Sequence, residues 1–280
     1  MKDDLIYLDY AASTPVDTRV AELLLDCHQT RFANPSSNHA AGRESRASIE
    51  HAAGQLSALL NVDPKTLIWT SGATESDNLA IAGGARFRAH RGKHLVTMPT
   101  EHKAVTDVFH MLEKQGFEVT WLNPAENGLL DPDTFAAALR VDTQLVSVMY
   151  VNNETGVMQD IHAIGAICRE RDILFHVDAA QAVGKIPIDL QELPVDLLSL
   201  TGHKFYGPTG IGALYMADRP GCRVEPILFG GGQQRRIRPG TWPADLIAGL
   251  GLAAEIAASR IHSDLDHLTD LRRALWAGID

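Results

Sequence analysis

The amino-acid sequence predicts an α/β fold in which a mainly parallel, seven-stranded sheet lies between helices. Two observations predict it. Short apolar runs at 67–70, 94–98, 117–122, 144–151, 173–177, 197–200 and 212–216 alternate with segments of helical period. Those runs are apolar at successive positions rather than at every second one, as in strands covered on both faces. Between them, 41–60 puts Ile49, Ala52, Leu56, Leu59 and Leu60 on one stripe, and 103–114 and 161–171 are similarly amphipathic. No internal repeat or low-complexity tract interrupts the alternation.

Composition narrows the function classes. Hydrophobic residues make up 45% and charged residues 21%, an ordinary globular balance. Twenty-five basic against thirty-five acidic side chains give a formal charge of −10. That charge disfavours nucleic acid and anionic membranes as partners, although a local basic patch can still take a small phosphorylated ligand. Cys27, Cys168 and Cys222 are too few and too far apart for a disulfide framework or a paired-cysteine metal site, so a reducing, cytoplasmic setting is expected. The acidic first residues do not read as a signal peptide. The apolar stretch at 246–258 is broken by Glu255 and is too short to span a bilayer.

The ends differ from the middle. Residues 1–15 carry no clear element and are expected to form an N-terminal segment of a small domain. Residues 16–260 are expected to form the large domain. Residues 261–280 read as the start of a small α+β domain that is incomplete, because helical spacing at Leu268, Leu271 and Leu275 is still running where the sequence stops.

In an open parallel sheet, ligands bind beyond the carboxyl ends of the strands. The first run is followed by Ser71-Gly72-Ala73-Thr74-Glu75-Ser76, a small-residue turn into a helix, whose free N–H groups suit a phosphate. The next runs deliver His102, Asn152 and Asn153, Asp178 and Gln181, and finally Thr201-Gly202-His203-Lys204. Each has an ordinary explanation. Thr74 and Ser76 could cap a helix, His102 could be a loop histidine, Asp178 could pair with an arginine, and Lys204 could be solvated. Their arrival at one edge is what those explanations leave out. A pyridoxal 5′-phosphate (PLP) site needs this set: a lysine for the Schiff base, a carboxylate for the ring nitrogen, a ring to stack, and a phosphate cup. Lys204, Asp178, His102 and the pair Ala73 and Thr74 fill these places, with Thr201 and His203 on the phosphate side.

At these residues the chain resembles the cysteine desulfurases of the NifS/IscS type, in the class V aminotransferase group of fold-type I PLP enzymes. The matching stretches are 7–12, 34–37, 70–76, 100–103, 151–156, 176–181, 202–208, and 230–233 running on to 240–241. They lie in order over nearly all of the chain. The resemblance implies a fold-type I large domain with Lys204 as the cofactor lysine, Asp178 at the ring nitrogen, and His102 as stacking ring and acid/base. It also implies that Asn153 and Gln181 contact the ring oxygen and substrate side, and that Ala73, Thr74, Thr201 and His203 form the phosphate cup. Thr241 corresponds to a residue lent to the neighbouring subunit's phosphate, which implies a homodimer. Arg235, Arg236 and Arg238 fit that shared edge, or else form a solvated basic loop. Thr201 stands where the family usually has serine, and Ser13 where it usually has threonine.

The implied reaction converts L-cysteine to L-alanine and leaves the sulfur as an enzyme persulfide, destined for an iron–sulfur scaffold protein or for tRNA thiolation. In the family the accepting cysteine and a substrate-binding arginine lie beyond residue 280. None of the three cysteines matches that loop. Cys27 and Cys168 fall in helical stretches, and Cys222 is expected in an exposed turn. The chain therefore reads as a desulfurase without its C-terminal part, expected to bind PLP weakly or not at all and to be inactive alone. Two alternatives stay open: another class V enzyme, such as a selenocysteine lyase or an aminotransferase, and a non-catalytic truncated paralogue that pairs with a full-length desulfurase.

Overall fold

In the computed structural model, which describes residues 6–279, seven strands form one sheet. They are β1 (Leu67–Thr70), β2 (His94–Thr97), β3 (Glu118–Trp121), β4 (Thr143–Met149), β5 (Leu174–Asp178), β6 (Leu197–Thr201) and β7 (Gly212–Met216). The helices are α1 (Thr18–Thr30), α2 (Ala40–Leu60), α3 (Ala73–Asn78), α4 (Gly84–Phe87), α5 (Lys103–Lys114), α6 (Pro132–Ala138), α7 (Ile161–Glu170) and α8 (Ala244–Ala277). The expected end segments, 1–15 and 261–280, extend outside the described residues at 1–5 and at 280.

The strand order is β1-β7-β6-β5-β4-β2-β3. β2 pairs in parallel with β3 and β4, and β4, β5 and β6 continue the parallel set. β7 is antiparallel to both β6 and β1, so β1 points the same way as the parallel strands. One reversed strand thus leaves the carboxyl ends of β1, β2, β4, β5 and β6 along a single edge.

The continuous apolar runs are explained by two cores. On β4, Val146 and Val148 face one core while Leu145 faces the other; on β5, Phe175 and Val177 oppose Leu174. The first core is closed by α1, α2, α7 and α8 through Val20, Leu56, Ile164 and Ile247. The second is closed by α5 and by the helical stretch 73–87, through Val105, Phe109, Leu112 and Ile81. Complete burial of a side chain such as Phe109 contributes about 1.5–3 kcal/mol.

Local sequence explains the helix starts. Asp131 and Asp160 accept from the N–H groups of Thr134 and Ala163, and Pro132 sits at the first position of α6, where no donor is lost. Between α3 and α4 the chain does not break; Leu79–Gly83 form one widened π turn. α8 runs without interruption for 34 residues, through the expected large-domain boundary at 260. Cys222 departs from expectation. It is buried, with its thiol 3.5 Å from the carbonyl oxygen of Asp196, because the side chain joins the second core with Leu197, Leu214 and Met216. Among the described residues no helix is long and apolar enough to cross a membrane.

Candidate active site

The edge collected by the strand ends opens on a cavity of about 790 Å³. Ala73, Thr74, His102, Asn153, Asp178, Gln181, Thr201, His203 and Lys204 all line it. Of the expected site residues, Thr241 alone does not. The cavity is also lined by Asp9, Ala11, Ala12, Glu75 and Glu154, none of which was singled out from the sequence as a site residue.

The phosphate-type end is built by the turn after β1. The buried hydroxyls of Thr70 and Ser76 meet at 2.7 Å, and Thr70 also donates to the carbonyl of Gly72. These bonds fold the turn so that α3 starts at the cavity. Gly72 has φ 152°, a conformation open to glycine and costly for other residues, and a side chain there would meet the Thr201 hydroxyl at 3.5 Å. Among the described residues, the N–H groups of Gly72, Ala73 and Thr74 find no acceptor, and Gly72 provides no side-chain cap. Unfilled donors at a helix start are a ready anion cradle.

Lys204 reaches the cavity from the turn after β6. Its Nζ donates to the carbonyl oxygens of Ala11 and Ala12 at 2.7 and 2.8 Å, and among the described residues no carboxylate pairs with it. Burial lowers its pKa, against the opposing pull of Asp178 and Asp9. A half-buried amine held only by neutral carbonyls is closer to its nucleophilic, uncharged form than a solvated lysine. The N-terminal segment that supplies these carbonyls is itself tied down. Thr14 donates through N–H and hydroxyl to the carbonyl of His203 and accepts from Tyr206 N–H. His203 Nδ1 lies 3.2 Å from the Ser13 hydroxyl.

Asp178 ends β5, is 3% exposed, and accepts one bond, from Ala180 N–H at 2.9 Å. Burial, reinforced by the nearby charge of Asp77, pushes its pKa up to about 7. Beneath it lies a polar layer on the same face of the sheet. His176 bridges the hydroxyls of Ser147 and Ser199 at 2.8 and 2.9 Å, and Asp77 lies 3.5 Å from its Nε2. Asp77 is fully buried, among the described residues neither of its oxygens has a donor in good geometry, and burial raises its pKa to about 7 despite the nearby Ser199 hydroxyl. Glu101 is buried as well, accepting from Met149 N–H at 2.8 Å, and burial raises its pKa strongly.

His102 caps α5, its Nδ1 accepting from Ala104 N–H at 3.1 Å. That bond assigns the proton of the neutral ring to Nε2. Asn152 fixes the loop after β4 by donating to the Thr100 carbonyl and accepting from Glu154 and Thr155 N–H groups. Asn153 is left to the cavity, where its amide donates to Glu154. Gln181 Nε2 donates to the Ala11 carbonyl, and its Oε1 accepts from Lys185 Nζ at 2.6 Å. The role of Lys185 was not visible in the sequence, because only the fold brings it beside the cavity.

The class V aminotransferase family model matches residues 6–280. The cysteine desulfurase IscS of Neisseria meningitidis serogroup C (strain 053442) is 54% identical over 276 residues, covering 98% of this chain and 68% of that protein. The chain belongs to the cysteine desulfurase family. Its fold agrees with solved members: a NifS-like protein superposes with a TM-score of 0.94 at 36% identity over 98% of this chain and 75% of that one. A structure of SspA in complex with cysteine gives 0.86 at 43% identity, over 90% and 72%. The family is PLP-dependent, and the cavity fits that cofactor chemically. Among the described residues it offers an amine without an ion-pair partner, a buried carboxyl short of donors, and unfilled N–H groups at a helix start.

Proposed function

We propose that this cavity holds PLP and serves the cysteine desulfurase reaction, with roles divided as follows. Lys204 holds the cofactor covalently, and Asp178 faces its ring nitrogen. Ala73, Thr74, Thr201 and His203 receive the phosphate. Asn153 and Gln181 contact the ring oxygen and substrate side. His102 stacks on the ring and carries a proton at Nε2. The observation that carries this reading is the placement of the Lys204 amine and the Asp178 carboxyl on one cavity, with the unfilled donors of the α3 turn beside them.

When bound, PLP supplies an electron-accepting ring that stabilises negative charge at the amino acid's α-carbon. Asp178, buried at the cavity wall, would hold the ring nitrogen and favour a proton there. Lys204 would hold the cofactor, and its amine, on the same cavity, would serve to take the α-proton at Nζ. The C–S bond of the substrate then breaks, its sulfur joins an enzyme thiol as a persulfide, and the carbon skeleton leaves as L-alanine. Cys27, Cys168 and Cys222 are all buried away from the cavity, and burial raises the pKa of each thiol. We therefore assign the accepting thiol to none of them, and expect no sulfide or alanine from this chain alone.

Thr241 lies outside the cavity of its own chain, and we assign it to the cavity of a second copy, making the working unit a homodimer. PLP binding by an isolated copy should accordingly be weak. We assign the sulfur to an acceptor protein such as an iron–sulfur scaffold, or to tRNA thiolation. The setting is the cytoplasm, in keeping with three free thiols. Titration of the chain with PLP should produce the visible absorption of a protein-bound cofactor; its equal appearance in Lys204→Ala would overturn the assignment.

A further inference from the structure

Glu75 is an anomaly at the phosphate end. It stands in the first turn of α3 and lines the cavity, where a carboxylate opposes the approach of a phosphate dianion. Arg238 meets it with two bonds, Nε to Oε1 at 2.7 Å and Nη2 to Oε2 at 3.2 Å. Ser71 N–H supplies a third, to Oε2 at 2.7 Å. Both side chains are largely buried, at 19% and 12% exposure. Burial alone would push Glu75 up, yet the bonds from Arg238 and Ser71 hold its pKa below the ordinary carboxylate range. Glu75 is thus an anion.

The segment that carries Arg238 is fixed in advance. Gln234 lays its amide along the open edge of β1, accepting from Trp69 N–H at 2.6 Å and donating to Trp69 carbonyl at 2.9 Å. The side chain takes the place of a neighbouring strand. Gln234, Arg235 and Arg236 hold left-handed φ values of 46°, 59° and 63° in succession. Such strain persists where surrounding contacts over-determine the loop. The guanidinium is therefore delivered to Glu75 without waiting for a ligand.

We propose that Arg238 is a positioning residue for the phosphate end of the cavity: by holding Glu75 and offsetting its charge, it keeps the N–H groups of Gly72, Ala73 and Thr74 receptive to a dianion. This rests on the reading of the cavity as a PLP site. The prediction separates an electrostatic role from a merely structural bridge. A structural bridge fails alike when either partner is lost, whereas charge compensation fails only when the anion is left uncovered.

The test uses the 280-residue chain and the PLP concentration that gives half-maximal borohydride trapping at Lys204. Arg238→Gln should raise that concentration on the order of tenfold, and Arg238→Lys, which keeps the charge, clearly less. Glu75→Gln should leave it within about twofold of wild type or lower it. The double variant Glu75→Gln/Arg238→Gln should bind as Glu75→Gln does. Equal losses in Glu75→Gln and Arg238→Gln, or a double variant as weak as Arg238→Gln, would overturn the proposal. Absence of trapping from the wild-type chain would overturn the cofactor reading itself, and the proposal with it. Thermal melting without PLP identifies a variant that binds poorly because it folds poorly, and the double variant then decides.

Discussion

The amine of Lys204 lies 2.7 Å from the carbonyl oxygen of Ala11, a residue 193 positions earlier in the chain. The N-terminal segment thereby works as a strap across the lysine turn, and the Thr14 bonds to His203 and Tyr206 are its anchors. Replacing Thr14 by valine removes a donor to His203 and the acceptor for Tyr206 N–H. The expected cost is about 1–3 kcal/mol of stability, read from denaturant midpoints. A change indistinguishable from zero would mean that the strap contributes nothing.

Asp77 gives a prediction with a definite sign. Its folded pKa, about 7, lies above the ordinary 3.8 because of burial. The stability associated with its protonated form is complete below about pH 4 and is lost as pH rises through about 7. Asp77→Asn cannot ionise, so relative to wild type it should gain stability between about pH 4 and pH 8, by up to about 4 kcal/mol. Parallel stability curves for the two proteins would show that Asp77 does not titrate in this window.

Glu101 separates acceptor from charge. Its Oε1 satisfies Met149 N–H inside the structure. Glu101→Gln keeps an acceptor and should be close to neutral. Glu101→Ala strands the N–H and should cost about 1–3 kcal/mol. Chemical denaturation of both variants checks the order.

Gly72→Ala should destabilise the chain by about 1–2 kcal/mol, since φ 152° is accessible to glycine and strained for alanine. It should also weaken PLP binding more than a similarly destabilised core variant such as Ile164→Val, because the turn positions the free N–H groups. Equal effects of the two on binding would contradict that placement.

Much of this was legible in the sequence because it is local. The apolar runs at 67–70 and 212–216 coincide with β1 and β7, and the others differ at their ends by a residue or two. Asp178, for example, belongs to β5 rather than following it. The strand-end residues could be collected on one edge because a parallel sheet dictates it. What was not legible depends on partners far apart in sequence. Nothing near Glu75 announces Arg238, 163 positions later, and nothing near Gln181 announces its bond to the Ala11 carbonyl, 170 positions earlier. The exposed turn expected at Cys222 is overridden by tertiary packing. The widened turn at Leu79–Gly83 keeps the apolar content of a helix, so periodicity gives no warning of it.

The central claim is that Lys204 is the residue bonded to PLP, opposite Asp178. The most direct measurement is borohydride reduction of the chain with excess PLP, followed by peptide mapping by mass spectrometry. The account predicts a single pyridoxyl label on the peptide containing Lys204, lost in Lys204→Ala. A label on Lys185 or a surface lysine instead, unchanged in that variant, would contradict it.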